Sequence, residues 1–423
     1  MHLHNISNLI AYYMIKSNFV IKQHIRRMKI IHTSDWHLGQ NFFGYDRSGD
    51  HESMISQLIE LIQAEEPDAL VIAGDIFDVA APNTSIQKYF AEAIVRLHDA
   101  CPSMIIVCIS GNHDSASRHE VHQVPWEALK VKMIGKANMT DMEDNIIPVD
   151  GKGWIVAIPY TNERFLNDEF YSNLEAAVKE KTGKELPIIY VGHAAITGCD
   201  HTGHELMNDR FVGGIEYTGL EELGSVYDYI ALGHIHKAQT FGMGRARYCG
   251  TPLPVSFDEV RSGYEHGFSI VEIDAHGSLP SIRTVDVECP HPLVSIPADG
   301  HAPWKEVIAE LKKFPSEIEA YIRLNVLLKD SEMMPFDKDR QIQEAMEGKA
   351  ARYAVTNPTR ESLVSEERRQ SAIKAISVEE LQKLDPATVL RSYAESQGMT
   401  FSEKFQEMFN IVYSNLNNSD NED

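Results

Sequence analysis

The sequence is short of cysteine, of basic charge and of long apolar runs, and each shortage closes off a class of protein. Its five cysteines, Cys101, Cys108, Cys199, Cys249 and Cys289, are odd in number, scattered and never spaced C-x-x-C. A disulfide scaffold is therefore excluded, and a reduced, cytoplasmic setting is expected. Against 62 acidic residues stand 39 basic ones, a formal net charge of −23, whereas a protein that grips nucleic acid through counterion release alone would be basic. The apolar stretch at residues 9–20 is interrupted by Lys16 and Asn18. It is too short to span a bilayer, no small-residue cleavage site follows it, and the chain reads as soluble. Internal repeats, low-complexity tracts and a G-x-x-x-x-G-K-[ST] phosphate loop are also missing. What is there, 43% hydrophobic and 24% charged over 423 residues, is an ordinary globular composition, long enough for one large α/β domain and one or two smaller ones.

From Met28 onward, short apolar runs alternate with helical stretches, the mark of βαβ units. Residues 29–34, 69–73, 104–109, 154–158, 187–191 and 229–232 read as strands, and their near-continuous apolar character suits a sheet covered on both faces. Met54, Ile55, Leu58, Ile59 and Ile62 have the spacing of an amphipathic helix. The expected architecture is a layered α/β sandwich over 28–288, closed by strands at 267–273 and 282–287. Residues 289–358, with a helix over 304–311 and a strand over 320–328, read as a small α+β unit. Residues 359–423 read as a helical region with a disordered polar tail. Within it Asp385-Pro386 has the residues of a helix start. Phe401, Phe405, Met408, Phe409, Val412 and Tyr413 fall on one helical face, either core packing or a contact with a partner helix. Because Met28 stands directly before the first strand, residues 1–27 read as an N-terminal extension, open between a poorly ordered segment and an upstream choice of start codon.

Five of these strands end in residues that ligate metals. They deliver Asp35-Trp36-His37, Gly74-Asp75, Gly111-Asn112-His113-Asp114, Gly192-His193 and Gly233-His234-Ile235-His236. Functional groups collect beyond the carboxyl ends of α/β strands, and glycine permits sharp turns and close approach, so all five motifs can share one crevice. Asp35, His37, Asp75, Asn112, His193, His234 and His236 form an oxygen and imidazole set suited to manganese, iron or zinc rather than calcium. Seven ligands are too many for one ion. If Asp75 bridges, each of two ions receives four, with room left for water and substrate, the arrangement for in-line displacement at phosphorus. His113, kept off the metals, can protonate a leaving alkoxide, with Asp114 beside it to orient the imidazole or raise its basicity.

Taken singly these motifs are weak, since D-x-H arises by chance and Gly-His is more often a turn. Five in order, each behind an apolar strand, are a different matter. His51, His98, His119 and His122 are expected on solvated helix or loop surfaces. Asp78 is open between holding a metal ligand and capping a turn, and residues 200–205 between a substrate path and a plain polar loop.

The order D-x-H, G-D-x-x-D, G-N-H-D, G-H, G-H-x-H is similar to the signature of calcineurin-like metallophosphoesterases. More narrowly, His32-Thr-Ser-Asp-Trp-His-Leu-Gly39, Ala73-Gly-Asp-Ile-Phe-Asp78, Ser110-Gly-Asn-His-Asp114 and Tyr248-Cys-Gly-Thr-Pro-Leu-Pro-Val-Ser-Phe257 together resemble the SbcD family of bacterial nuclease subunits, from residue 28 to the end. The resemblance implies one metal on Asp35, His37, Asp75 and His236, a second on Asp75, Asn112, His193 and His234, and His113 as the catalytic histidine. It implies two Mn2+ ions, 3′–5′ exonuclease action on DNA duplex ends and endonuclease action on hairpins and single strands, in DNA repair and recombination. It also implies a capping domain over 289–358 and an SbcC-like coiled-coil ATPase as partner, in a heterotetramer built on a homodimer of this chain. That partner would carry the ATP site, and much of the DNA grip that the acidic balance withholds. Two other readings compete. One is a phosphodiesterase or phosphatase for a small molecule or phosphoprotein, because the metal set does not name the ester. The other is a non-catalytic adaptor with a structural metal site, against which His113 argues.

Overall fold

The apolar runs become the strands of two facing six-stranded sheets in the computed structural model, which describes residues 27–121, 123–161, 166–183, 185–200, 217–260 and 264–362. In chain order these strands are β1 (Met28–Thr33), β2 (Ala69–Ala73), β3 (Ile105–Ile109), β4 (Val131–Ile134), β5 (Ile146–Val149) and β6 (Gly153–Ile158). They continue with β7 (Ile188–His193), β8 (Tyr229–Gly233), β9 (Gln239–Phe241), β10 (Ala246–Tyr248), β11 (Gly267–Ile273) and β12 (Ser281–Asp286). The first sheet is ordered β12-β11-β1-β2-β3-β4 and the second β9-β10-β8-β7-β6-β5. From β1 to β4 the pairing is parallel, as it is across β6, β7, β8 and β10.

Parallel neighbours need a crossover, and the helices Ser48–Glu65, Thr84–Ala100 and Asp168–Thr182 lie on the outer faces. The strands are apolar throughout because each face has its own cover. In β2, Ala69, Val71 and Ala73 enter the core between the sheets, while Leu70 and Ile72 pack beneath the helices with Met54, Leu58, Ile62, Phe90, Ile94 and Leu97. Each such Leu or Ile contributes about 1.5–3 kcal/mol on burial. The expected layered sandwich is thus present as helix, sheet, sheet, helix.

Beyond β12, strands Leu293–Ile296, Tyr321–Leu328 and Arg352–Arg360 form a wholly parallel sheet, crossed over by helices Trp304–Lys313 and Lys338–Met346. The unit expected as α+β is therefore built as successive βαβ units around its own core of Val307, Leu311, Ile322, Leu324 and Val326. It meets the large domain along a buried seam of Phe42, Phe257, Leu293 and Tyr321. Polar ties reinforce the seam. Arg323 donates to Asp258 at 2.9 Å, and His291 lies between Asp50 at 2.6 Å and Glu319 at 2.8 Å.

Two histidine expectations fail. His51 and His119 are buried, because tertiary packing covers helix faces that would be wet in isolation. The turn carrying His51 is overlaid by Pro254 and His291, which bond Arg47 and Asp50. Burial, aided by Arg47, lowers the His51 pKa to about 4. His98 is half-buried. His122, Asp385-Pro386 and the aromatic stripe from Phe401 to Tyr413 lie outside the described residues, as do 1–26 and 201–216. Among the described residues no helix is long and apolar enough to cross a membrane.

Candidate metal centre and active site

Each predicted ligand motif sits at or just beyond the carboxyl end of its strand. Asp35, Asp75 and Asn112 come from β1, β2 and β3 of one sheet, and His193 and His234 from β7 and β8 of the other. The crevice is therefore formed where two sheets face each other, not at a switch point within a single sheet. The chain is bent hard to reach it: Asp35, His37, Asp75 and His234 all have positive φ, between 47° and 97°. Such conformations cost on the order of 1–3 kcal/mol each and persist where surrounding structure enforces them. Here backbone bonds do so, from Asp35 N–H to Gly74 O (2.9 Å) and from His37 N–H to Asp75 O (3.1 Å). The glycines follow from crowding. A Cβ on Gly74 (φ +90°) would lie 2.3 Å from His193 Nδ1, and one on Gly111 2.1 Å from Asp75 Oδ1.

All seven predicted ligands converge. One group is Asp35, His37 and His236, with His37 Nε2 and His236 Nε2 3.3 Å apart and Asp35 Oδ1 4.0 Å from His236 Nε2. Another is Asp35, Asp75 and His193, with Asp75 Oδ2 3.4 Å from His193 Nε2. Asn112 Oδ1 joins it, 2.9 Å from both His193 Nε2 and His234 Nδ1. The outer nitrogens of two rings are committed elsewhere. His193 Nδ1–H donates to Ala73 O, and His236 Nδ1–H to Glu259 Oε1, each at 2.8 Å. Nε2 of His193 thus faces Asp75 Oδ2 and Asn112 Oδ1, and Nε2 of His236 faces Nε2 of His37, an arrangement that a proton or a cation between the paired atoms satisfies. The donor set fits divalent cations.

The electrostatics agree. Burial pushes the Asp35 carboxyl up to about 6, and the adjacent Asp75 adds to the shift against the pull of His193. Burial opposes charge on His37 and His193, yet the surrounding carboxylates outweigh it, Asp78 first for His37 and Asp75 first for His193, and hold both up to about 9. Asp75 is drawn well below the usual carboxylate range, against its burial, by His193 and His37. His236 is driven far down by burial and by the charge on His37. The cluster pulls protons into the places a cation would take.

His113 lies beside this set, its ring centroid 5.0 Å from that of His37. Its Nδ1 is 2.9 Å from the carbonyl of Asp78, and because a carbonyl only accepts, Nδ1 carries a proton and Nε2 is left outside this bond. Asp114 does not orient this ring as expected. Its buried carboxylate instead accepts from the backbone N–H groups of Ile76 (3.1 Å), Phe77 (3.0 Å) and Gly111 (2.9 Å). It is spent on holding the second and third motif loops together. Asp78 serves the site twice, through its carbonyl on His113 and its carboxylate 3.6 Å from His37 Nδ1.

Sequence reasoning missed Glu259, whose carboxylate also accepts from Val255 N–H at 2.9 Å and Thr251 Oγ1 at 3.3 Å. Its only sequence signal is its place two residues beyond the run that ends at Phe257. Asp200, the first residue of the polar stretch 200–205, pairs with Lys237 at 2.5 Å.

Residues 28–238 match the calcineurin-like phosphoesterase family. The SbcD component of nuclease SbcCD from Rhodobacter capsulatus is 31% identical over 312 residues, 68% of this chain and 76% of its own length. The chain belongs to the SbcD family. The Escherichia coli SbcD protein is 27% identical over 384 residues, covering 84% of this chain and 91% of that one. The Bacillus subtilis SbcD protein is 27% identical over 263 residues, 58% and 66% of the two chains. Residues 289–398 match a family described as the type 5 capsule protein repressor C-terminal domain, so the SbcD likeness extends past the metal centre into the small parallel sheet.

Proposed function

We propose that this chain is the nuclease subunit of an SbcCD-type complex and hydrolyses DNA phosphodiester bonds at a two-metal centre. The observation that carries the reading is the meeting of seven oxygen and imidazole donors from five strand ends, with His113 held just outside them, in a chain of the SbcD family. Asp35, His37, Asp75 and His236 would hold one cation and Asp75, Asn112, His193 and His234 the other, with manganese the ion we favour. Paired cations supply Lewis acidity and a bound water acidic enough to attack phosphorus near neutral pH.

The chain's own residues set the rest. Ala73 O and Glu259 fix the tautomers of His193 and His236, so that Nε2 of each faces inward. With Nδ1–H of His113 held by Asp78 O, the imidazolium form carries a second proton on Nε2; it gives that proton to the leaving alkoxide and is left neutral, general-acid assistance of about 10²–10⁴-fold. Asp114 acts on the loops, not on this proton.

The finer reading is 3′–5′ exonuclease action on duplex ends and endonuclease action on hairpins and single strands, in DNA repair in the cytoplasm. Residues 28–288 form the nuclease domain, 289–358 the cap and 359–423 the partner-binding region. The chain dimerises, and an SbcC-like ATPase completes a heterotetramer. The net charge of −23 and the missing phosphate loop support a partner that brings both DNA grip and ATP. The test is manganese-dependent cleavage of a labelled hairpin DNA by the purified chain beside His113→Ala, each with and without the ATPase. We expect cleavage to fall by about 10²-fold or more in the variant while manganese binding persists. Brisk hydrolysis of a small phosphodiester with no DNA cleavage under any condition would overturn the proposal.

A further inference from the structure

Where the cap meets the large domain, an open pocket of about 380 Å³ is lined by Tyr45, Gln343, Arg352 and Tyr353 among others, within the size range of small-ligand sites. Arg352 sets it apart. In a chain with 62 acidic and 39 basic residues, a guanidinium normally finds a carboxylate. Arg247 instead gives its N–H groups to the hydroxyls of Ser269, Thr240 and Thr284, and Arg360 to the carbonyls of Lys329, Asp330 and Glu332. Arg352 makes one side-chain bond, from Nη1–H to the Tyr321 hydroxyl oxygen at 3.1 Å, and no carboxylate lies within 4.0 Å of it among the described residues. Its carbon centre stands 5.5 Å from the Tyr321 ring and 5.8 Å from the Tyr45 ring, which hold the planar fork in place. Tyr45 is itself fixed by its hydroxyl on Tyr353 O at 3.0 Å. The pocket's carboxylate, Asp339, is 83% exposed and faces Lys338 Nζ at 3.9 Å.

A pre-positioned guanidinium with spare donors, flanked by aromatic faces, suits a phosphate and its sugar. Tyr45 belongs to the hairpin Asn41–Phe42/Tyr45–Asp46, eight residues along from His37. Eight residues span at most about 28 Å, which at about 3.4 Å per nucleotide is roughly eight nucleotides of one strand. We propose that Arg352 and this pocket bind a backbone phosphate of the DNA strand whose scissile phosphate occupies the metal centre, so that the cap holds the substrate in register. This rests on the nuclease reading above.

The test is the affinity of the full 423-residue chain for a labelled hairpin oligonucleotide without divalent metal, across a salt series. The variants are Arg352→Ala, Arg352→Gln, which keeps a bond to Tyr321 without the charge, and Arg352→Lys. Loss of one phosphate contact should weaken binding about tenfold at low salt and reduce the slope of log affinity against log salt by about one. Alanine and glutamine should show this alike, and lysine should restore the slope. Unchanged affinity and slope in two variants that melt like the parent would overturn the proposal while leaving the nuclease reading in place. Arg352-dependent capture of a deoxynucleoside monophosphate as tight as that of the oligonucleotide would assign the pocket to free nucleotide and overturn the strand assignment. A parent chain that hydrolyses a small diester but neither binds nor cuts DNA would remove both readings together.

Discussion

The buried pair of His236 and Glu259 shows how one hydrogen bond sets a ligand. Glu259 is acceptor-only when ionised, so the 2.8 Å contact forces the proton onto Nδ1 and leaves Nε2 for a cation. Glu259→Ala should weaken manganese binding by about 10–100-fold, read by calorimetry on metal-free protein, and Glu259→Gln, which still accepts from Nδ1–H, should lose less. Equal losses for the two would sink the tautomer argument. Proton competition provides a second check. His37 and His193 are raised from 6.5 to about 9, so in metal-free protein their stabilising contribution is complete below pH 6.5 and disappears as the pH climbs through 9. A cation must displace those protons, so manganese affinity should move the other way, rising between about pH 6.5 and 9 with proton release. Titrations in two buffers of different ionisation enthalpy measure the protons directly; affinity independent of pH would refute the coupling.

Among elements, the loops after β2 and β3 depend on one carboxylate. Asp114 accepts three buried backbone N–H groups that have no other acceptor in their own loops. Each orphaned amide costs about 1–3 kcal/mol. Asp114→Ala should therefore destabilise the fold by about 3–5 kcal/mol in chemical denaturation, with activity falling because Asp75, Asn112 and His113 lose their common anchor. Normal stability with a displaced pH–rate profile would instead return Asp114 to the role of orienting His113.

The whole molecule carries a charge of the same sign as DNA, the substrate proposed for it. At −23 the isolated chain should bind duplex DNA weakly and with a shallow salt dependence, since few phosphates are neutralised. Adding the proposed ATPase partner should raise affinity and steepen the slope, which salt titrations of chain and complex can compare. A steep slope for the chain alone would place the grip here. The small parallel sheet bears on the same question, because, joined to the large domain through Phe42, Phe257, Leu293 and Tyr321, it brings Arg352 and Tyr45 to one pocket.

Much of the site was legible locally. A strand, a glycine and a ligand residue follow one another within a few positions, as in Gly74-Asp75 and Gly111-Asn112-His113, because crowding at a strand end demands glycine where the ligand turns inward. Alternating cover from helices and the opposing sheet made the central strands continuously apolar and so recognisable, whereas β4, β5, β9 and β10 are too short or too mixed to register. Tertiary structure alone decided that the motifs divide between two sheets, that Glu259 serves His236 from 23 residues away, and that Asp114 bonds Ile76 across 38 residues and not its neighbour His113. It also decided that His51 and His119 are dry. The physical reason is the same in each case: a hydrogen-bond partner or a covering surface supplied from a distant part of the chain leaves no local pattern, while the steric demands of a turn are met by adjacent residues.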